Sequence, residues 1–173
     1  MENILNKAAP LGQKAGSGYW NDLDMLEVGN GGMSREEEIT HFTMWAMVKS
    51  PLIMGNDLSV LTNQTKAIVG NQDVIAINQD RLGTPAVRVL NDDVVNGKGL
   101  HQFWVAPLAN MTFAVAIVNF GEEVRINSLE KGRGEERVET KIDRLYYLSS
   151  SDSPTLSHPL LLTFYSTIKK QNT

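Results

Sequence analysis

The hydrophobic period of this chain changes near Gly83, and that change limits the folds open to it. Before it, apolar runs and amphipathic stretches alternate. Asn21 to Val28 is short and largely apolar and predicts a buried strand. Ser34 and Glu37 have the spacing of a capping box, and Glu36 to Glu38 put negative charge at a helix start. Ile39, Phe42, Trp45, Ala46 and Lys49 follow at helical spacing, so residues 35–50 predict a helix with one apolar face, stopped by Pro51. "PLIMGND" predicts a second strand, and Asn63 to Gly70 a second helix before "DVIAINQD". Residues 1–17 predict a short helix and a polar loop. Strand, loop, helix, repeated, is the signature of α/β architecture with parallel strands.

Past Gly83 the runs "TPAVRVL", "LHQFWVA" and "MTFAVAIVNF" are short and β-rich, with Asn91-Asp92-Asp93 and Asn96-Gly97 as turn signals. They predict antiparallel strands of a second unit. After Phe120 the text becomes charged and then Ser/Pro-rich, so residues 121–173 read as an unrecognised, partly disordered tail, with "LLLTFYSTIKK" as one more strand.

Composition excludes several classes. Lys and Arg are scattered and the net charge is -4, which gives no basic surface for nucleic acid. No apolar run approaches the ~20 residues of a membrane span, and "MENILNKAAP" has no leader pattern of charge followed by an apolar core. Cysteine is absent, so thiolate metal sites and disulfides are excluded. His101 and His158 have no partners at metal spacing, and no metal or cofactor is expected. His41 reads as a solvated or core-edge side chain, and Glu36 to Glu38 as a solvated helix start. Asn63-Gln64-Thr65 and Asn110-Met111-Thr112 are N-glycosylation triplets.

The stretches "NILNKAAPLGQKAG", "WNDLDMLEVGNGG", "HFTMWAMVKSPLIMGNDL" and "VIAINQDRLGTPAVRV" closely resemble glycoside hydrolase family 27, above all the secreted fungal α-galactosidases. The resemblance covers about residues 3–120. It implies that residues 1–83 are the last portion of a (β/α)8 TIM barrel and residues 84–120 the start of a C-terminal antiparallel β-domain. It also implies retaining hydrolysis of terminal α-galactose from melibiose, raffinose-type sugars or galactomannan side chains, and a secreted location. An α-N-acetylgalactosaminidase is an alternative, as is a non-catalytic or truncated product. Tyr19 stands where the family usually has glycine.

Asp22 and Asp24 invite a reading as a catalytic pair. On an extended strand, carboxylates two residues apart point the same way, about 6.6–7 Å apart. Glycoside hydrolysis needs them on opposite faces of the anomeric carbon, which two groups on one strand do not supply. The resemblance implies that both catalytic aspartates lie upstream, so this chain carries none. It implies that Asp24 binds the sugar and that Met25 walls the galactose pocket. The competing reading makes Asp22 and Asp24 turn or capping residues. Asp22 and Asn21 are expected to orient their neighbours, and Trp20 to pack or, more weakly, to touch the sugar. Asn56 and Asp57 either line the pocket or cap a helix and bond across the rim; Asn78, Gln79 and Asp80 bracket the domain junction. No oligomeric state is assigned.

Overall fold

The computed structural model describes residues 1–95, 98–120, 141–147 and 160–167 of the 173, with side chains over 1–91 and 101–120. The helices are α1 (Glu2–Ala8), α2 (Arg35–Met47), α3 (Asn63–Val69) and α4 (Gln72–Asn78), with 3-10 turns at Ala9–Lys14 and Leu58–Val60. The strands are β1 (Val87–Val95), β2 (Lys98–Leu108), β3 (Thr112–Asn119), β4 (Lys141–Tyr147) and β5 (Leu160–Thr167). They form one antiparallel sheet in the order β1-β2-β3-β5-β4. The final apolar run is therefore a strand, as its sequence predicts, and it pairs with β3. Asn91 to Asp93 lie within β1 instead of forming a turn, because the ladder to β2 continues through them. The Asn96-Gly97 turn and the expected disorder of the tail fall outside the described residues.

The two strands expected at Asn21–Val28 and Pro51–Asp57 reduce to a single parallel bridge, Leu26 to Met54. The Leu26 amide donates to the Ile53 carbonyl at 2.7 Å and the Gly55 amide to the Leu26 carbonyl at 2.8 Å. Asp24 is the reason that the ladder runs no further toward the N-terminus: its φ of 78° leaves the extended region that a strand requires. On the other side, Gly55 is fitted to close approach. A Cβ there would lie 2.6 Å from the Met25 Sδ and 2.8 Å from the Leu26 carbonyl oxygen.

Helix α2 starts as its sequence predicts. The Ser34 hydroxyl accepts from the Glu37 amide at 3.3 Å, and the Glu37 carboxylate accepts from the Ser34 amide at 2.8 Å. Ser34→Ala should cost about 1 kcal/mol; the midpoint of urea unfolding, followed by circular dichroism, measures it. The helix ends before Pro51, with Lys49 left-handed at φ 60°. It is not amphipathic: all residues from Glu38 to Met47 are buried, polar Thr40, His41 and Thr43 included. It lies between the 23–29 segment and the sheet, touching α3, α4, β3 and β5, so beyond its first turn no face is left to solvent.

On the sheet, β2 and β3 bury alternate residues, Trp104, Ala106 and Leu108 beside Ala114, Ala116 and Val118, in one cluster with Phe42, Trp45 and Met47 of α2. Trp104 pairs across with Ala116, so a large ring meets a small neighbour. The N-terminal helix is tied to the same sheet. Asn6 of α1 accepts from Arg88 of β1 and from Gln102 of β2, and Gln102 in turn accepts from the Trp104 indole at 3.0 Å. The helical half and the sheet thus share a core and a polar seam.

Candidate functional site

Along residues 21–29, Leu23, Leu26 and Val28 turn inward while Asp22, Asp24, Met25 and Glu27 are exposed. Asp22 accepts the Asp24 amide on its Oδ1 at 2.9 Å, closing a side-chain turn that orients Asp24. Asp24 accepts the amide of Met25 on its own Oδ1 at 2.8 Å. Its Oδ2 bonds nothing among the described residues. The carboxylate thus offers an open, acceptor-only oxygen suited to hydroxyl donors. Beside it Met25 is 45% exposed, a polarisable apolar surface. Because Asp22 bonds the peptide of Asp24, the two carboxylates belong to one turn and do not face each other across a bond.

Helix α2 holds this segment from behind. The Trp45 indole donates to the Asp24 carbonyl at 2.8 Å. The Glu27 amide donates to His41 Nε2 at 3.0 Å, and the Gly29 amide to Glu38 Oε1 at 2.9 Å. Just past the helix, Ser50 Oγ accepts from the Leu23 amide at 3.0 Å. His41 stacks edge-on against Trp45 with ring centroids 4.0 Å apart. Burial pushes the His41 imidazole down to about 4, aided by the Met1 ammonium and opposed by Glu27. It is therefore neutral and able to accept at Nε2, with the proton on Nδ1. Two sequence expectations change here. Glu38 is buried, not solvated, and His41 is buried rather than solvated. The signal that pointed to them was present: 38, 41 and 45 lie three and four apart, on one helix face.

The other expected residues separate into supporting roles. Asn21 Nδ2 donates to the Leu11 carbonyl at 2.9 Å, tying the segment to the turn after α1. Trp20 lies against Gly83, where a Cβ would meet its ring at 3.0 Å, so it packs, with 40% of its surface exposed. Tyr19 folds back on Gly16. Asp57 caps the turn at Leu58–Val60, and Asn56 Nδ2 bonds the Val28 carbonyl at 2.9 Å, the capping and rim arrangement. Asn78 donates to the Ser50 carbonyl, while Asp80 accepts the Ala109 amide at the β2–β3 turn, so this stretch does join the two halves. Buried Lys49 donates to the Ile77 carbonyl; burial lowers its pKa, and Asp80 opposes that. Asn63 is exposed at the start of α3. Asn110 is exposed in the β2–β3 turn at φ 59°, its Oδ1 accepting from Arg81 at 2.8 Å. Among the described residues no three His, Asp or Glu gather as a metal site. No helix there is long and apolar enough to cross a membrane.

Residues 1–80 match the family described as Alpha galactosidase A. An α-galactosidase of Lachancea cidri is 54% identical over 127 residues, covering 71% of this chain and 27% of that protein. Among solved structures, the Saccharomyces cerevisiae α-galactosidase with raffinose is 50% identical with a TM-score of 0.64, over 69% of this chain and 27% of that one. α-Galactosidase I from Mortierella vinacea is 35% identical with a TM-score of 0.72, over 98% of this chain and 45% of that one. Residues 1–80 carry the sequence of that family, and the chain is similar to the α-galactosidases of glycoside hydrolase family 27. Among these it is similar to the yeast enzymes, and it spans 27% of the length of the curated yeast relatives it matches.

Proposed function

We propose that the chain supplies the Asp24–Met25 corner of the galactose pocket in a retaining α-galactosidase, with Trp20 a weaker contact and Asp22 and Asn21 as supports. The observation that carries this reading is the open Asp24 Oδ2, fixed in a left-handed turn beside exposed Met25. In this reading residues 1–83 are the closing part of a (β/α)8 barrel, and the sheet that follows is its β-domain. Contacts with substrate gather where barrel strands end, which suits a carboxylate at this position. Both catalytic aspartates belong upstream, so the chain alone turns over no substrate. The substrates are α-galactosides of the raffinose and melibiose type, including galactomannan side chains. The enzyme is secreted, with exposed Asn63 and Asn110 as glycan acceptors.

The test joins this chain to the upstream part of the yeast α-galactosidase that it matches, then replaces Asp24 by asparagine. Losing a charge-assisted hydrogen bond worth roughly 1.5–3 kcal/mol should lower kcat/KM by about 10- to 150-fold, with KM raised. Similar losses on melibiose and on an activated aryl galactoside support binding. A large loss on melibiose with near-normal aryl cleavage would instead make Asp24 the general acid, since good leaving groups need little protonation.

A further inference from the structure

Three side chains from one face of α2 reach three backbone groups of the 24–29 segment in reverse order: Glu38 to Gly29, His41 to Glu27, Trp45 to Asp24. A strand at this place would satisfy those groups through a neighbouring backbone. Here the helix does so instead, and among the described residues the strand-like pairing of this segment is the Leu26–Met54 bridge on the other edge. The rung at Trp45 is the one that matters for the sugar. Asp24 sits at φ 78°, a conformation that costs a non-glycine residue about 1 kcal/mol or more. It is pinned there from two sides, by the Asp22 carboxylate on its amide and by the Trp45 indole on its carbonyl. His41 braces the Trp45 ring edge-on and holds the Glu27 amide, so it fixes both the donor and the chain beyond Asp24.

We propose that Glu38, His41 and Trp45 are positioning residues for Asp24: together they fix its backbone in the left-handed region and so aim its carboxylate. The proposal rests on the reading of Asp24 as a sugar-binding group for its functional meaning, but the geometry it asserts is tested without sugar.

The test uses the full 173-residue chain, labelled with 15N and 13C. The readouts are the HN–Hα coupling of Asp24, which reports its φ, and the exchange rates of the Glu27 and Gly29 amides. Trp45→Phe keeps the ring and removes the donor; it should shift the Asp24 coupling toward extended values. His41→Leu removes the acceptor at Glu27 and should speed exchange of that amide on the order of 2- to 10-fold. His41→Gln, which keeps an acceptor, should restore protection. Glu38→Gln should leave Gly29 protected and Glu38→Leu should not. In the unaltered chain the His41 ring carbon shifts should report its protonation, with a midpoint well below that of an ordinary histidine. The charges facing His41 are the Glu27 carboxylate and the Met1 ammonium, with Glu38 one turn before it on α2. Neither of the first two is altered by these variants. An unchanged Asp24 coupling in Trp45→Phe, or equal exchange of Glu27 in His41→Leu and His41→Gln, would overturn the proposal. In the fused enzyme Trp45→Phe should raise KM more than it lowers kcat. If Asp24→Asn there has no effect on KM while the coupling and exchange results stand, the sugar reading falls and the positioning role remains.

Discussion

Trp45→Ala should destabilise the chain by about 3–5 kcal/mol, the cost of emptying a large aromatic site in a core. Trp45 is 1% exposed and belongs to the cluster that joins α2 to the sheet. Its loss removes more than area: the edge-on contact with His41 goes, and the Asp24 carbonyl loses its donor at a strained turn. Trp45→Phe keeps most of the packing and should cost clearly less, so the difference between the two variants separates the volume of the ring from the bond of the indole. Urea unfolding followed by far-UV circular dichroism supplies both numbers. A loss below about 1 kcal/mol for the alanine variant would mean that α2 is not the centre of the core.

Acid should weaken the fold through His41. The unfolded imidazole takes up its proton near the usual 6.5, the folded one only near about 4. Between those values the unfolded chain binds more protons, so stability rises with pH across that window. The contribution is complete above about 6.5, falls as the pH drops and is gone below about 4. Its size is at most about 3–4 kcal/mol for a gap of that width. Burial is the main cause, since a charged ring there would lose water and could no longer accept from the Glu27 amide. His41→Gln should flatten this part of the profile, measured as urea midpoints between pH 4 and pH 7. A slope equal to that of the unaltered chain would assign the acid sensitivity to other groups.

Local signals survive in the sequence where neighbours in the chain do the work. Ser34 and Glu37 are three residues apart and bond each other's backbone, so the start of α2 is readable without the fold. The runs that became β2 and β3 are short, β-rich and bounded by turn residues, so their strands are readable too. Pro51 marks the end of α2 to within a few residues. What was hidden depends on partners far along the chain. Leu23, Leu26 and Val28 look like a strand by composition, yet Asp24 is left-handed and the support comes from side chains 9 to 27 positions away. Glu38 looked solvated because two glutamates precede it, but only Glu38 faces the Gly29 amide. Asn91-Asp92-Asp93 has turn chemistry and is a strand, since pairing with β2 overrides local preference. Asp22, Asp24 and Met25 stood out by type and spacing. The sequence could not show that Asp22 would spend its carboxylate on the Asp24 peptide.

The bonds from α2 to the 24–29 segment also make that helix unforgiving in length. Each residue advances a helix by about 100°, so deleting one position between Glu38 and Trp45 would swing one end of the face away from its backbone partners. No change of rotamer restores a rotation that large. A swap at exposed Arg35 or Gln64, by contrast, leaves the angular phase untouched. Drift in this part of the chain is therefore expected to proceed by substitution, with insertions and deletions admitted only in the turns that flank the helix.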